Sequence, residues 1–492
     1  MGSTLETAAD PLKLRRVVIE PVTRVEGHGK VTILLDEQNR IHQVRLHIVE
    51  FRGFEKFIQG RPYWEVPVMV QRLCGICPVS HHLAAAKAVD MLVGARKLTP
   101  TAEKLRRLLH VGQMLQSHAL HFFHLASPDL LFGFASPLEQ RNIVGVIAAH
   151  PDLAIQGVKL RKFGQEVIRH ITGKRIHGTA AIPGGMNKAL TREERELLRR
   201  DISQVVASSR VAVDLSRKVF EASEYSPRFG VFPSNYLSLI GAEGELDFYD
   251  GALRALDAGG ATIFDHVDYL HYNRYIREEV KSWSYMKFPF LVGKGSEDGW
   301  YRVGPLARIN ACDRINTPLA EAERLAFRNL AGGLQHATLA YHWARMIEML
   351  HAAEEIQHLL EDPELLGTDL VTRGERALEG VGVVEAPRGT LFHHYRINEN
   401  DVVEKANLIV STTNNNQAMN EAVRQVAIRY LDGKKLTEGL LNHIEVAIRA
   451  YDPCLSCATH ALGRMPLLVE LLDADGQLLD RLAKGDPGQG PS

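Results

Sequence analysis

RLCGICPVSH at residues 72–81 and DPCLSCATH at residues 452–460 hold four of the five cysteines in a chain of 492 residues. Within each stretch the cysteines, Cys74/Cys77 and Cys454/Cys457, stand two residues apart, a gap that lets both sulfurs turn toward one metal ion. A histidine trails each arm, His81 and His460. Most of the chain lies between the two arms, so only the whole fold can bring them together. The chain therefore reads as one body built around a buried site, not as a string of modules.

Four thiolates mark a soft site without naming the ion. Two Cys-x-x-Cys arms ordinarily make a structural zinc site, but the arms of such a site usually lie about 15–20 residues apart. A thioredoxin-like redox pair leaves the second arm without a purpose. Two disulfides fit poorly with a large, cysteine-poor chain that has no export signal. The residues alone leave a structural and a functional metal equally open.

Composition narrows the partners. Lys+Arg (58) and Asp+Glu (59) leave a formal charge of −1, which gives no support for a nucleic-acid or anionic-membrane partner. No run reaches the roughly 18 apolar residues of a membrane span. The opening MGSTLETAADPLKLRR lacks an apolar signal core, so residues 1–14 read as a disordered lead-in to a cytoplasmic protein. Gly2 is a partial lipidation context only, since Glu6 stands where Ser or Thr is needed. Gly293, Gly295 and Gly299 have the wrong spacing for a nucleotide loop and no Walker motif is present, so any nicotinamide or flavin chemistry belongs to another chain.

Alternating apolar residues over 16–50 predict a small antiparallel sheet. Helical periodicity predicts helices over 64–96, 101–127, 152–173, 190–225, 317–361, 415–432 and 436–450. Strands and loops are expected over 233–303, a Gly-rich turn at EGVGVVEAPRG (379–389), strands around 391–412, and a disordered tail after Leu479. The fold class is α+β, mainly α: a central bundle of long helices with small sheets toward both ends. His118, His121 and His124 recur every third residue and read as a buried polar stripe on a helix, without a catalytic role.

PVTRVEGH (21–28), EFRGFEKF (50–57), RLCGICPVSH, EAPRGTLFHHY (385–395) and DPCLSCATH follow one another in an order that resembles the large subunits of [NiFe]-hydrogenases, from about Val17 to past His460. FRGFEKF, WSYMKFPF and DPCLSCATH look most like the cytoplasmic, bidirectional, NAD-coupled branch. The resemblance implies that Cys74, Cys77, Cys454 and Cys457 bind nickel, with Cys77 and Cys457 bridging to an iron that carries CO and cyanide. By the same resemblance Arg388 lies over the open metal position, held by Asp129 and Asp452, and Glu26 is the first proton relay, in a network with His28 and His81. Thr412 and Pro387 would contact the cofactor, Thr412 by a hydrogen bond to a cyanide. Glu55, His460 and the Leu408 carbonyl would hold a magnesium ion.

Two departures from the wider family stand out: His177-Gly178 where many relatives have His-Pro, and VSTTNNN (410–416) without the usual proline and tryptophan. The resemblance also implies a maturation endopeptidase that cuts after His460, so that residues 15–460 form the single functional domain and 461–492 are removed, with nickel chaperones assisting. Beyond the four ligands only Cys312 remains, too few for an iron–sulfur cluster. The implied assembly therefore includes a small subunit with iron–sulfur clusters, and diaphorase subunits with FMN that meet NAD. Coupling to NADP, a deazaflavin or another acceptor, and a non-catalytic zinc scaffold, are the alternatives.

Overall fold

The structure, a computed structural model, describes residues 15–36, 38–48, 51, 53–281, 283–458, 467–472 and 478–484. The expected lead-in and His460 lie outside the described residues. Strands β1 (Arg15–Ile19), β2 (Gly29–Leu35) and β3 (Ile41–Ile48) form the antiparallel sheet that the alternation predicts.

The helix expected over 64–96 is broken in the middle. Short helical turns run from Tyr63 to Leu73, the backbone extends at Cys74 (φ −147°), and α1 (Pro78–Leu92) begins with Cys77 as its N-cap residue. Pro78 has no N–H to continue the preceding helix, yet it suits the first helical position. The break is what turns both thiols inward.

Helix α2 (Pro100–Leu120) starts where Thr99 accepts the Ala102 N–H at 3.2 Å, and it runs on into a wide π turn over His121–Ala126. Helix α3 (Pro151–Thr172) packs along α2, and α4 (Arg192–Ala222) opens with a Thr191/Glu194 capping box. Strands β4 (Asn235–Ile240), β5 (Ala252–Leu256) and β6 (Thr262–Val267) make an antiparallel sheet, with Tyr301–Arg302 as a parallel edge. Helix α5 (Pro305–Ala311) follows, and the helix expected over 317–361 divides at Gly332 and Gly333, which take φ of 64° and 157°. Its second half, α6 (Ala340–Glu361), packs against α2 and α4 and is buried on nearly every face, Arg345 and Glu348 included. It is the axis of the bundle.

Residues 379–389, expected as a Gly-rich turn, are instead mostly strand. β7 (Glu379–Ala386), β8 (Gly389–Ile397) and β9 (Val403–Ile409) form an antiparallel sheet, and only Pro387–Arg388 makes the turn. The glycines serve packing: a Cβ at Gly380 or Gly382 would stand 2.1 Å from the carbonyl oxygen of Ala88 or Ala84 on α1. Two bare positions on one strand face let α1, which begins at Cys77, lie against the strand that ends at Arg388. Helices α7 (Asn416–Tyr430) and α8 (Glu438–Ala450) form where periodicity predicts them. Past them, Leu467–Leu472 pairs antiparallel with Leu478–Lys484, so the expected disordered tail begins within a strand.

A buried ionic knot joins the two ends of the chain. Asp129 accepts Arg24 Nη2 at 2.6 Å, Arg449 Nη1 at 2.9 Å and Asn442 Nδ2 at 3.1 Å, and Arg449 also donates to the Thr23 carbonyl at 2.9 Å. Burial alone would raise the Asp129 pKa, but Arg449 and Arg24 outweigh it and hold the carboxyl below its ordinary 3.8. The knot fixes the segment that leads into Glu26 against α8, which leads into Cys454.

Gly382→Ala is expected to destabilise the protein by about 1–3 kcal/mol through overpacking, read as a lower denaturation midpoint. Asp129→Asn leaves Arg24, Arg449 and the nearby Arg141 facing a neutral partner and is expected to cost about 3–5 kcal/mol near neutral pH. A depressed folded pKa means that this contribution is present above pH 3.8 and is lost as pH falls through the folded value, so the gap between wild type and variant should narrow in acid.

Candidate metal centre

The two arms meet. The Sγ atoms of Cys74, Cys77, Cys454 and Cys457 all lie within 4.8 Å of one another, and all four residues are buried. Cys74 and Cys454 are 3.3 Å apart, Cys77 and Cys457 4.0 Å, and Cys454 and Cys457 2.8 Å. Among the described residues no other cluster of metal-ligating side chains is this compact. Burial pushes the Cys454 and Cys457 thiols well above their ordinary range, while hydrogen bonds from Cys454, Cys457 and Cys74 hold Cys77 well below it. The cluster thus favours the anion at Cys77, and four thiolates together would call for a cation.

The C-terminal arm is held by the N-terminal segment. Glu26 O accepts the Leu455 N–H at 2.9 Å, and Glu26 Oε2 accepts Cys454 Sγ–H at 3.0 Å and the Ser456 N–H at 3.1 Å. Gly27, at φ 83°, makes this contact possible, because a Cβ there would fall 2.7 Å from Ser456 N. Glu26 therefore sits where a proton could pass between it and Cys454.

Arg388 projects from the β7–β8 turn and is 3% exposed. Its Nε donates to the Asp452 carbonyl at 2.6 Å and its Nη2 to Asp452 Oδ1 at 3.2 Å, whereas Nη1 is buried without a hydrogen-bond partner among the described residues. Although burial opposes it, Asp452 and the cysteines keep the guanidinium charged. Burial lifts Asp452 to about 6 against the pull of Arg388 and Arg345. A cavity with about 240 Å³ of atom-free space opens beside the thiols, walled by Ala386, Pro387, Leu391 and Val410 on its apolar side and by Arg388 and Thr412 on its polar side. Thr412 Oγ1 accepts the Cys454 N–H at 2.9 Å, which leaves its own O–H able to donate.

Not every expected partner meets. Asp129 does not hold Arg388; its oxygens are taken by Arg24, Arg449 and Asn442, and Asp452 holds Arg388 alone. The reason is topological: Asp129 follows the π turn and faces α8, not the β7–β8 turn. His81 turns to His393, with Nδ1 and Nε2 3.1 Å apart, while Glu26 faces Cys454 and Ser456. His118 and His121 do form a buried polar stripe, bonded to Glu348 and to the Arg449 carbonyl, and burial holds His118 down at about 4. Glu55 is buried and accepts the Leu408 N–H at 2.9 Å, with Lys287 Nζ 3.6 Å away. Lys287 lies in WSYMKFPF, where only strand character was legible. Four buried sulfurs, a guanidinium with one free N–H pair and a small, mostly apolar cavity are a donor set that fits a soft, compact metal group bearing small ligands.

Comparison with known proteins agrees with this geometry. The sequence profile of the nickel-dependent hydrogenase family matches residues 52–132 and 247–460, and a HoxL-like profile matches residues 16–51. The beta subunit of the NAD-reducing hydrogenase HoxS of Cupriavidus necator is 48% identical over 489 residues, covering 96% of this chain and 100% of the relative. The F420-non-reducing hydrogenase vhc of Methanococcus voltae contains a polypeptide that is 40% identical over 93% of this chain and 98% of its own length. A crystal structure of an NAD+-reducing [NiFe]-hydrogenase in the H2-reduced state superposes with a TM-score of 0.89 at 57% identity, covering 91% of this chain and 99% of the other. A [NiFeSe] hydrogenase from D. vulgaris Hildenborough shares the fold at 23% identity and a TM-score of 0.73. With its two cysteine arms closed on one buried centre, the chain belongs to the nickel-dependent hydrogenase family, as a [NiFe]-hydrogenase large subunit.

Proposed function

We propose that this chain is the catalytic subunit of a hydrogenase that interconverts H2 with protons and electrons and delivers the electrons, through an iron–sulfur small subunit, to NAD. The observation that carries the reading is the four-cysteine cluster with Arg388, its Nη1 unpartnered among the described residues, lining the same cavity. Cys74, Cys77, Cys454 and Cys457 would hold a nickel–iron group whose iron carries CO and cyanide, and that group would supply Lewis-acid and redox chemistry toward H2.

The chain's own groups do the rest. Arg388 keeps a fixed positive charge over the cavity in a medium too dry to screen it. Thr412 and Pro387 line the space for the small ligands, Thr412 with its remaining O–H. Glu26, in hydrogen-bond contact with Cys454 Sγ, accepts the proton and hands it outward, and the contact reverses for H2 evolution. Glu55, the Leu408 carbonyl and His460 would hold magnesium with hard oxygen donors in the majority.

Electrons leave by another face. Trp64 (50% exposed), Val68 (40% exposed) and the exposed Arg72 stand on one side of the helical turns that end at Cys74. Arg72 Nη1 lies 2.8 Å from His177 Nδ1, and His177 Nε2 lies 3.2 Å from the Cys74 carbonyl. This face supports docking of the cluster-bearing small subunit one hydrogen bond from the centre. Diaphorase subunits with FMN would then meet NAD in a cytoplasmic complex. NAD is favoured over other acceptors because the relatives at 48% and 57% identity are NAD-reducing enzymes. Residues 15–460 would form the working domain, with 461–492 removed by an endopeptidase once chaperones have delivered nickel.

Purified with its partners and cut after His460, the protein is expected to contain nickel and iron, to show infrared bands in the CO and cyanide stretching window, and to reduce NAD+ under H2. Zinc in place of nickel and iron, with no bands, would overturn the reading. Glu26→Gln should keep the metals and the bands while H2 oxidation falls by about 10²–10⁴-fold, and wild-type turnover in that variant would remove Glu26 from the proton path.

A further inference from the structure

Behind the Pro387–Arg388 turn lies a charged group that the chemistry above does not use. Arg308, on α5, is completely buried, and all five of its N–H donors are taken. Nε and Nη2 grip Glu348 Oε1 and Oε2, each at 2.6 Å. Nη1 donates to Glu385 Oε2 at 2.7 Å and to the Ala386 carbonyl at 2.9 Å, and the second N–H of Nη2 reaches the Pro387 carbonyl at 3.2 Å. The carboxylates are themselves fixed. Glu385 Oε1 accepts the Leu239 N–H at 2.8 Å and the Thr390 hydroxyl at 2.7 Å, and Glu348 Oε2 meets His118 Nε2 at 3.0 Å.

Stability does not explain this cluster, because one buried cation between two carboxylates seldom improves on an apolar replacement of the same volume. Its geometry points elsewhere. Two of the five donors go to the carbonyls of Ala386 and Pro387, which carry no part of the charge balance and immediately precede Arg388. Asp452 steadies only the guanidinium end of Arg388; the Cα end depends on where those two peptide groups lie.

We propose that Arg308 is a positioning residue for the hydrogen reaction, clamping the Ala386 and Pro387 carbonyls so that Arg388 keeps its place in the wall of the cysteine-lined cavity. The inference rests on the hydrogenase reading. A planar fork is required, since a lysine ammonium in the same place has three donors and cannot span Glu348, Glu385 and both carbonyls.

The test is Arg308→Lys in the matured complex, with Thr390→Val as a milder variant that removes one of the two hydrogen bonds on Glu385 Oε1. Per bound nickel, kcat for H2 oxidation should fall about 100-fold in Arg308→Lys and about tenfold in Thr390→Val, with KM for H2 near wild type, as a displaced catalytic group requires. The CO and cyanide bands should shift in both, because the nearest fixed charge has moved. A merely structural Arg308 would lower the melting temperature and the metal-loaded fraction while kcat per nickel and the bands stayed at wild-type values, and that result overturns the proposal. If Arg308→Lys yields no metal-loaded protein, Thr390→Val decides alone. A wild-type complex without bands or activity would overturn the hydrogenase reading and this proposal with it, whereas normal bands with unchanged kcat overturn this proposal only.

Discussion

Four sulfurs must share a dry space in which none is more than 4.8 Å from another, and much of the surrounding architecture answers to that crowding. Two thiolates about 4 Å apart repel by roughly 4 kcal/mol at an effective dielectric of 20, so the cluster tolerates full ionisation only beside positive charge. The protein brings one permanent cation, Arg388, and leaves the remainder to a metal. That explains why the walls are built of hydrogen-bonded backbone and paired charges instead of mobile side chains. Each element that reaches the centre is pinned from behind: α1 by two bare glycines, the C-terminal arm by the Glu26 segment, and the β7–β8 turn by Arg308.

The placement of charge follows one pattern. Close to the sulfurs lie Arg388 and Asp452, where only part of the hydrogen-bonding capacity is used. A step further out lie the knots around Asp129 and Arg308, in which nearly every donor is matched. The unused donor of Arg388 and acceptor of Asp452 thus lie where a ligand can take them up, and the Arg308 knot behind them has every guanidinium donor matched.

Some of this was legible in the sequence and some was not, for definite reasons. The cysteine arms were legible because a two-residue spacing is a local fact, and the helices because their periods are long. Residues 379–389 misled because glycine has two uses, to turn a chain and to let another element approach, and only the neighbour distinguishes them. The break before α1 was marked by Pro78, although the apolar pattern ran straight across it. Asp129 was assigned to the wrong arginine because a motif records which acid is present but not which way its helix faces. Arg308 carries no local signature, and the motifs that hold Lys287 and His393 do not say what those side chains touch: their partners include residues tens or hundreds of positions away.

The distance between the arms has a consequence for biosynthesis. Partner cysteines are 380 residues apart in the chain. At about 5–20 residues per second, Cys74 and Cys77 emerge from the ribosome roughly 20–80 s before their counterparts exist. Throughout that interval an open pair of soft ligands is exposed to the cell, and copper outranks nickel for such a pair. Equilibrium affinity would therefore load the wrong ion. Affinity of the first pair alone thus cannot select the metal, and a four-thiolate site exists only once the last arm has closed.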